Sequence, residues 1–357
     1  MFEVHIPALD AQAMRLARER QAKLAKPPGS LGVLEDISVR FAGITGRVFN
    51  DAKKRCVLIF SADNGVVAEG VSSSPQSVTL AQTINFGRGL TGVAVLARHF
   101  NTRLRVYDVG INADFTQPGV INKKIAYGTR NLAIEPAMTR EQALEALEIG
   151  MQAAADAAKD GFEILGVGEM GIGNTTTSSA ILSCLLDLPA RETVGRGGGV
   201  DDAGFARKLE IVDGAIRLHR PNRDDIVDVL SKLGGFDIAA MCGAFLGAAV
   251  HRVPVVVDGF ISAVAAMCAC RINRACADYL FASHVSYERG YMLAINDMGL
   301  VPMLQLQMRL GEGSGCPIAF EVIDAALTVL KDMATFEEAR IDDSYLAEIR
   351  ADARLQR

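Results

Sequence analysis

Five short apolar runs, each closed by a polar or glycine-rich turn, most constrain the fold of this chain. They are CVLIFSADNG from Cys56, LRVYDVGI from Leu104, FEILGVGE from Phe162, VPVVVDGF from Val253 and LFASHVS from Leu280. None alternates strictly, as expected of strands covered on both faces. Helical stretches separate them, among them TREQALEALEIGMQAAADAAKDG, GFARKLEIVDGAIRLH and GFDIAAMCGAFLGAAV. Strand and helix in alternation predict an α/β fold with a parallel sheet flanked by helices. The two ends differ. Leu9, Ala13, Leu16, Ala17 and Leu24 share one face of an N-terminal helix, with Arg15, Arg18 and Glu19 opposite. KPPGS stops that helix, and Ser30 is expected to cap the next. From Gly315 the pattern is helical again. Neither end borders a strand, so residues 1–50 and 315–357 are expected to form a small helical domain beside an α/β domain of residues 51–314.

The chain has 357 residues, half of them hydrophobic, so a large core is available. The net charge is −5 without a block of like charges, which argues against a nucleic-acid partner. No apolar stretch reaches the roughly 18 residues of a membrane span. Seven cysteines are scattered, several within apolar runs, and read as buried free thiols. An odd count without a signal-peptide pattern points to the cytoplasm. Cys268-Ala269-Cys270 reads as core rather than as half of a metal site, and no metal is expected.

Polar residues gather where the runs end: Asp63 and Asn64, Asp108, Glu169, Asp258, and His284 with Ser286. Ligands of open parallel sheets bind at the carboxyl ends of the strands, so these residues predict one cleft. Its most informative stretch is GVGEMGIGNTTTSSA, from Gly166. The opening G-x-G-x-x-G is the dinucleotide pattern. The acidic strand end due about 20 residues later is missing, because that segment reads DLPARETVGRGGGVDD. Gly171, Gly173, Asn174, Thr175 and Thr176 instead lead directly into a helix. Amides and hydroxyls at a helix start suit a single phosphate. A second glycine-rich loop, GRGGGVDD, precedes a helix carrying Lys208, a point charge for the same phosphate or an ordinary surface lysine. A third, RLGEGSGCP, sets Glu312 between Gly311 and Gly313 ahead of a helix begun by Pro317. Spacing leaves Glu312 as either a helix-end charge or a general base. His284 is either a cleft residue or a satisfied strand end. The methionines from Met292 to Met308 and Cys316 read as packing.

Taken together, LAKPPGSLGVLE, SADNGVVAEGVSSSPQSVT, GVGEMGIGNTTTSSA, VLSKLGGFDIAAMCGAFLGAA, VDGFISA, SHVSYERGY and RLGEGSGCPIAF resemble the nicotinate-nucleotide:dimethylbenzimidazole phosphoribosyltransferases, over Lys26 to about Ala326. The resemblance implies transfer of 5-phosphoribosyl from nicotinate mononucleotide to a benzimidazole nitrogen, in the making of cobamide lower ligands. It also implies a homodimer with no required metal or cofactor. Glu312 falls at the family's general-base position. Glu169 through Thr176, with Lys208 and the glycines flanking Glu312, falls where the nucleotide is held. Glu169 is the candidate for stabilising the ribose cation or holding its hydroxyls. Ser74 and Gln82 fall in the pocket for the aromatic acceptor.

One departure stands out. Family members often read A-D-H-G where this chain reads ADNG, placing Asn64 at the histidine position. Asn64 is therefore a third candidate for the acceptor pocket, one that cannot take a charge. Related two-subunit enzymes attach phenol or p-cresol through oxygen, so a phenol-type subunit, dimeric with a paralogous chain, is the near alternative. A non-catalytic partner chain and an NAD-dependent dehydrogenase are the others. Activity of the lone chain discriminates the first of these, and nicotinamide absorbance the second.

Overall fold

The computed structural model describes residues 2–346 and divides the chain into two compact units. The larger, Met1–Ile6 with Lys54–Ala319, holds the sheet. Its strands are β1 (Arg55–Ala62), β2 (Arg103–Gly110), β3 (Val120–Asn122), β4 (Ile164–Met170), β5 (Val255–Val257) and β6 (Leu280–Ala282). All neighbours are parallel, in the order β3-β2-β1-β4-β5-β6. Each of the five apolar runs overlaps one strand. The sixth, β3, is a three-residue edge strand of half-buried and exposed side chains with no readable periodicity.

Every residue of β1 is buried, and Phe60 stacks on Tyr107 of β2 at 5.2 Å. Against β1 and β4 packs the helix Phe236–Val250, apolar on all sides and buried along nearly its whole length. It meets the helix Arg140–Lys159 backbone to backbone. A Cβ on Gly150 would lie 1.8 Å from the Ala240 carbonyl oxygen, and one on Gly243 would lie 2.0 Å from that of Leu147. Glycine is therefore needed at this crossing, because no side chain fits between the helices. The helix Arg140–Lys159 opens on a capping box of Thr139 and Gln142. All seven cysteines are buried free thiols. Among the described residues, no helix is long and apolar enough to cross a membrane.

The smaller unit is Pro7–Lys53 with Phe320–Arg357, described as far as Leu346. Ala13 and Ala17 of the helix Ala11–Lys23 pack with Val39, Ala42 and Leu330. Two sequence expectations fail here. Leu16 is 38% exposed, and Gln21 is buried instead, donating from Nε2 to Ser38 Oγ at 2.9 Å. Ser30 does not cap the second helix, Val33–Thr45, whose N-cap is Gly32. Glu35 compensates by accepting from the Leu31 N–H at 3.0 Å and pairing with Lys26 at 2.6 Å.

Candidate active site

Strand order reverses direction between β1 and β4, and open parallel sheets bind ligands beside such a switch. In the larger unit, the carboxyl ends of β4, β5 and β6, with the segments after β1, line a cavity of about 300 Å³. Glu169 lies near the end of β4, Asp258 follows β5, and His284 lies two residues beyond β6.

The dinucleotide pattern dissolves in the structure. Gly166 and Gly168 lie inside β4 and form no turn. Gly168 serves packing: a Cβ there would lie 2.6 Å from the Glu312 carbonyl oxygen and 2.6 Å from the Gly313 nitrogen. The acidic turn thus lies flat on β4 because β4 lacks a side chain at that point.

That turn has an unusual backbone. Gly311, Glu312 and Gly313 have φ of +81°, +63° and +81°. Left-handed backbone costs a residue with a Cβ about 1–2 kcal/mol, so Glu312 must be held there by its surroundings. Its N–H donates to Glu169 Oε1 at 3.3 Å. Its own Oε2 accepts from the Val93 N–H at 3.0 Å, in the first turn of the helix Gly92–His99. Gln82 Nε2 is 3.4 Å from Oε1. Burial pushes the Glu312 carboxyl above the usual carboxylate range, against the pull of the Val93 and Gly92 amides. Of the two readings of Glu312, the helix-end charge is seen directly, at a helix start, and the acid also lies in the cavity wall. The helix whose start it caps is one that spacing did not suggest.

Behind Glu312 lies a cluster of buried carboxyls. Asn174 Nδ2 donates to Glu169 Oε2 at 2.5 Å and to Asp237 Oδ2 at 3.0 Å. Burial, with Asp237 and Asp258 nearby, pushes Glu169 up to about 8, against the Asn174 hydrogen bond. Burial likewise raises Asp237 to about 6 and Asp258 to about 7. At neutral pH the cluster therefore carries less than its full formal charge.

On another wall, Gly171, Gly173, Asn174 and Thr175 border the cavity at the start of the helix Asn174–Leu186, whose N-cap Gly173 has φ +95°. The second glycine-rich loop contributes Gly197 and Gly198. Lys208 ties these loops together, donating from Nζ to Thr175 Oγ1 at 3.0 Å and to the Gly195 carbonyl at 3.2 Å. It is 1% exposed, so the surface-lysine reading is ruled out. Burial pulls its ammonium down to about 8, and Glu288 pushes it back up.

The cavity wall includes Ser74, Gln82, Glu169, Gly311 and Glu312. Four expected site residues lie behind that wall. Lys208 and Gly313 reach it through partners. Thr176 is fully buried within its helix, and its hydroxyl points to no hydrogen-bond partner. Asn64 is also fully buried, beside Gly171, Gly235 and Asp237, so direct contact with an acceptor does not fit its position. His284 lines the cavity with Nδ1 2.9 Å from Ser283 Oγ, and burial lowers its pKa below the usual imidazole value. Sequence reasoning missed Asp237, Glu288 and Arg309. Glu288 and Arg309 line the cavity and Asp237 lies behind it, bonded to Asn174, but SYERG, RLGEG and LGGFD carry no spacing that signals a site.

Similarity to known proteins extends along nearly the whole chain. Residues 6–341 match the family model described as phosphoribosyltransferase. The nicotinate-nucleotide–dimethylbenzimidazole phosphoribosyltransferase of Clostridium perfringens is 55% identical over 345 residues, 97% of this chain and 96% of that protein. The enzyme of that name from Clostridium tetani is 46% identical over 346 residues, again 97% and 96%. A crystal structure of the Thermus thermophilus enzyme superposes with a TM-score of 0.89 at 37% identity, covering 94% of this chain and all of that one. With the match running through the sheet, both glycine-rich loops and the acidic turn, this chain belongs to the phosphoribosyltransferase family.

Proposed function

We propose that this chain transfers the 5-phosphoribosyl group from nicotinate mononucleotide to a ring nitrogen of 5,6-dimethylbenzimidazole, giving α-ribazole phosphate and free nicotinate. The observation that carries this reading is Glu312, set on a left-handed turn in the wall of a cavity that also includes a helix start backed by Lys208. The phosphate is assigned to the turns around Gly171–Thr175 and Gly197–Gly198, where helix-start amides and the Lys208 charge favour an anion. The acceptor ring is assigned to the side of Ser74 and Gln82.

In the donor, the pyridinium nitrogen is positive and leaves as neutral pyridine nitrogen. Positive charge then grows on the ribose. The acceptor attacks from the opposite face, which inverts the anomeric carbon from β to α. Its other ring nitrogen must lose a proton as the new bond forms. Glu312 is the base for that proton; its burial-raised pKa strengthens it, and such help is worth about 10²–10⁴-fold in rate. Holding both reactants in one cavity contributes at least as much. For Glu169 the upward shift favours holding ribose hydroxyls over stabilising the cation, because a protonated carboxyl carries no charge to offer. A cytoplasmic dimer, of like chains or with a paralogous partner, completes this reading.

The test is to incubate the purified chain with nicotinate mononucleotide and, separately, dimethylbenzimidazole, adenine and phenol, and to identify the products. An α-ribotide of dimethylbenzimidazole is expected. Product from phenol alone would move the chain to the phenol-type reading, and no product with any acceptor would reject it as a complete enzyme.

A further inference from the structure

The left-handed turn that carries Glu312 needs an anchor, and Asp258 has the geometry of one. Its carboxylate spans the turn's exit: Oδ2 accepts from the Gly313 N–H at 3.1 Å, and Oδ1 accepts from the Gly315 N–H at 2.7 Å. These are the amides immediately beyond Glu312 and at the start of the helix Gly315–Asp332. The intervening Ser314 N–H turns inward to the Gly311 carbonyl at 3.0 Å, which closes the turn on itself. With the Glu312 N–H bonded to Glu169, two carboxyls receive three of the four amides from Glu312 to Gly315.

Asp258 is itself rigidly placed. It follows β5 directly, its N–H donates to Ser262 Oγ at 3.2 Å, and its carbonyl accepts from Ser283 Oγ at 3.1 Å. Ser262 in turn donates to the Val167 carbonyl of β4 at 3.0 Å. The carboxylate is thereby referenced to both β4 and β5. It lies 57 residues before Gly315 in sequence, so it is no local helix cap.

We propose that Asp258 is the positioning residue of this site: by gripping the Gly313 and Gly315 amides it holds Glu312 left-handed, with its carboxylate aimed at the acceptor's proton. This rests on Glu312 acting as the base. Without the grip, the turn relaxes toward right-handed backbone and the Glu312 carboxylate swings away from the Val93 amide. The loss falls on the chemical step and leaves nucleotide binding in place.

The experiment is a double-mutant cycle on the full chain, with Asp258→Asn, Glu312→Gln and the pair, reading kcat, the KM for nicotinate mononucleotide and the melting temperature. The asparagine side chain keeps the size and one acceptor oxygen but sets an NH2 against one of the two amides. Asp258→Asn should lower kcat at least about tenfold, with KM changed less than about threefold. The pair should be no slower than Glu312→Gln alone, within about twofold. A near-normal kcat in Asp258→Asn, or losses that multiply in the pair, would overturn the proposal. If Glu312→Gln alone proves near normal, it is the general-base reading that fails. Should Asp258→Asn not fold, Gly315→Ala replaces it in the cycle. Gly315 is not left-handed, so alanine fits the backbone, but its Cβ would come within 2.8 Å of Asp258 Oδ1 and 2.4 Å of His284 Nδ1, so it displaces the carboxylate together with the ring, and His284→Ala in the same series reads the ring's share. The same kcat loss and the same absence of additivity are expected of Gly315→Ala, and a normal rate or multiplying losses would count equally against the anchor.

Discussion

Two glycine-rich regions line one cavity and use the same backbone freedom in different ways. At Gly171–Thr175 and Gly195–Gly199, glycines bring main chain to the cavity wall, and the charge behind them is the Lys208 ammonium. At Gly311–Gly313, the turn's own amides are occupied by Glu169 and Asp258, and the group it presents is the Glu312 carboxylate. Glycine content alone therefore says nothing about what a turn binds. What distinguishes the two regions is the charged group each carries, because amides of both are already taken by the protein, Ile172 and Asn174 in one and Glu312 and Gly313 in the other. In the proposed function, one region takes the anion and the other the proton.

The largest effect is expected at the acid. Glu312→Gln should cut turnover by at least about a hundredfold while nicotinate mononucleotide still binds, as measured by steady-state rates and calorimetry. A variant that loses nucleotide binding instead would erase the division of labour between the walls. Next is the cation. Lys208→Met should raise the KM for nicotinate mononucleotide by about 10–100-fold, the worth of the charged hydrogen bonds that hold Thr175 and Gly195 in the wall, with kcat changed much less. A loss confined to kcat would show that Lys208 serves the chemical step.

The smallest effect concerns stability. Glu169 stands at about 8 in the folded chain against an ordinary 4.5. The folded state therefore keeps a proton that the unfolded chain releases, and Glu169 costs stability progressively as pH rises from about 4.5 to about 8. Glu169→Gln removes that cost. The variant's melting temperature minus that of the unmodified chain should become more positive by a few degrees between about pH 5 and pH 8. A constant difference would show that burial does not hold the proton on Glu169.

Some of this molecule could be read from its residues in order. The runs at Cys56, Leu104, Phe162, Val253 and Leu280 announce their strands because a strand buried on both faces must be apolar throughout. Thr139 and Gln142 announce a helix start because their hydrogen bonds lie within four residues. Leu16 and Gln21 exchange places in burial because the neighbouring helix supplies Ser38 at that spot, which no pattern within the first helix encodes. Gly166 and Gly168 mimic a phosphate loop because spacing cannot tell a turn glycine from a glycine that clears room for another segment.

The sequence by itself determined the parallel sheet, the set of polar strand ends and the three glycine-rich stretches, because each depends on residues near one another along the chain. Only the tertiary structure decided that Glu312 meets the start of the helix at Gly92, that Asn174 links Glu169 to Asp237, and that Asn64 lies behind the wall. Glu312 and Val93 are 219 residues apart, and Asn174 and Asp237 are 63 apart. Contacts at such separations arise when the sheet brings its strand ends to one edge, and burial there, more than residue identity, sets which carboxyls keep their protons.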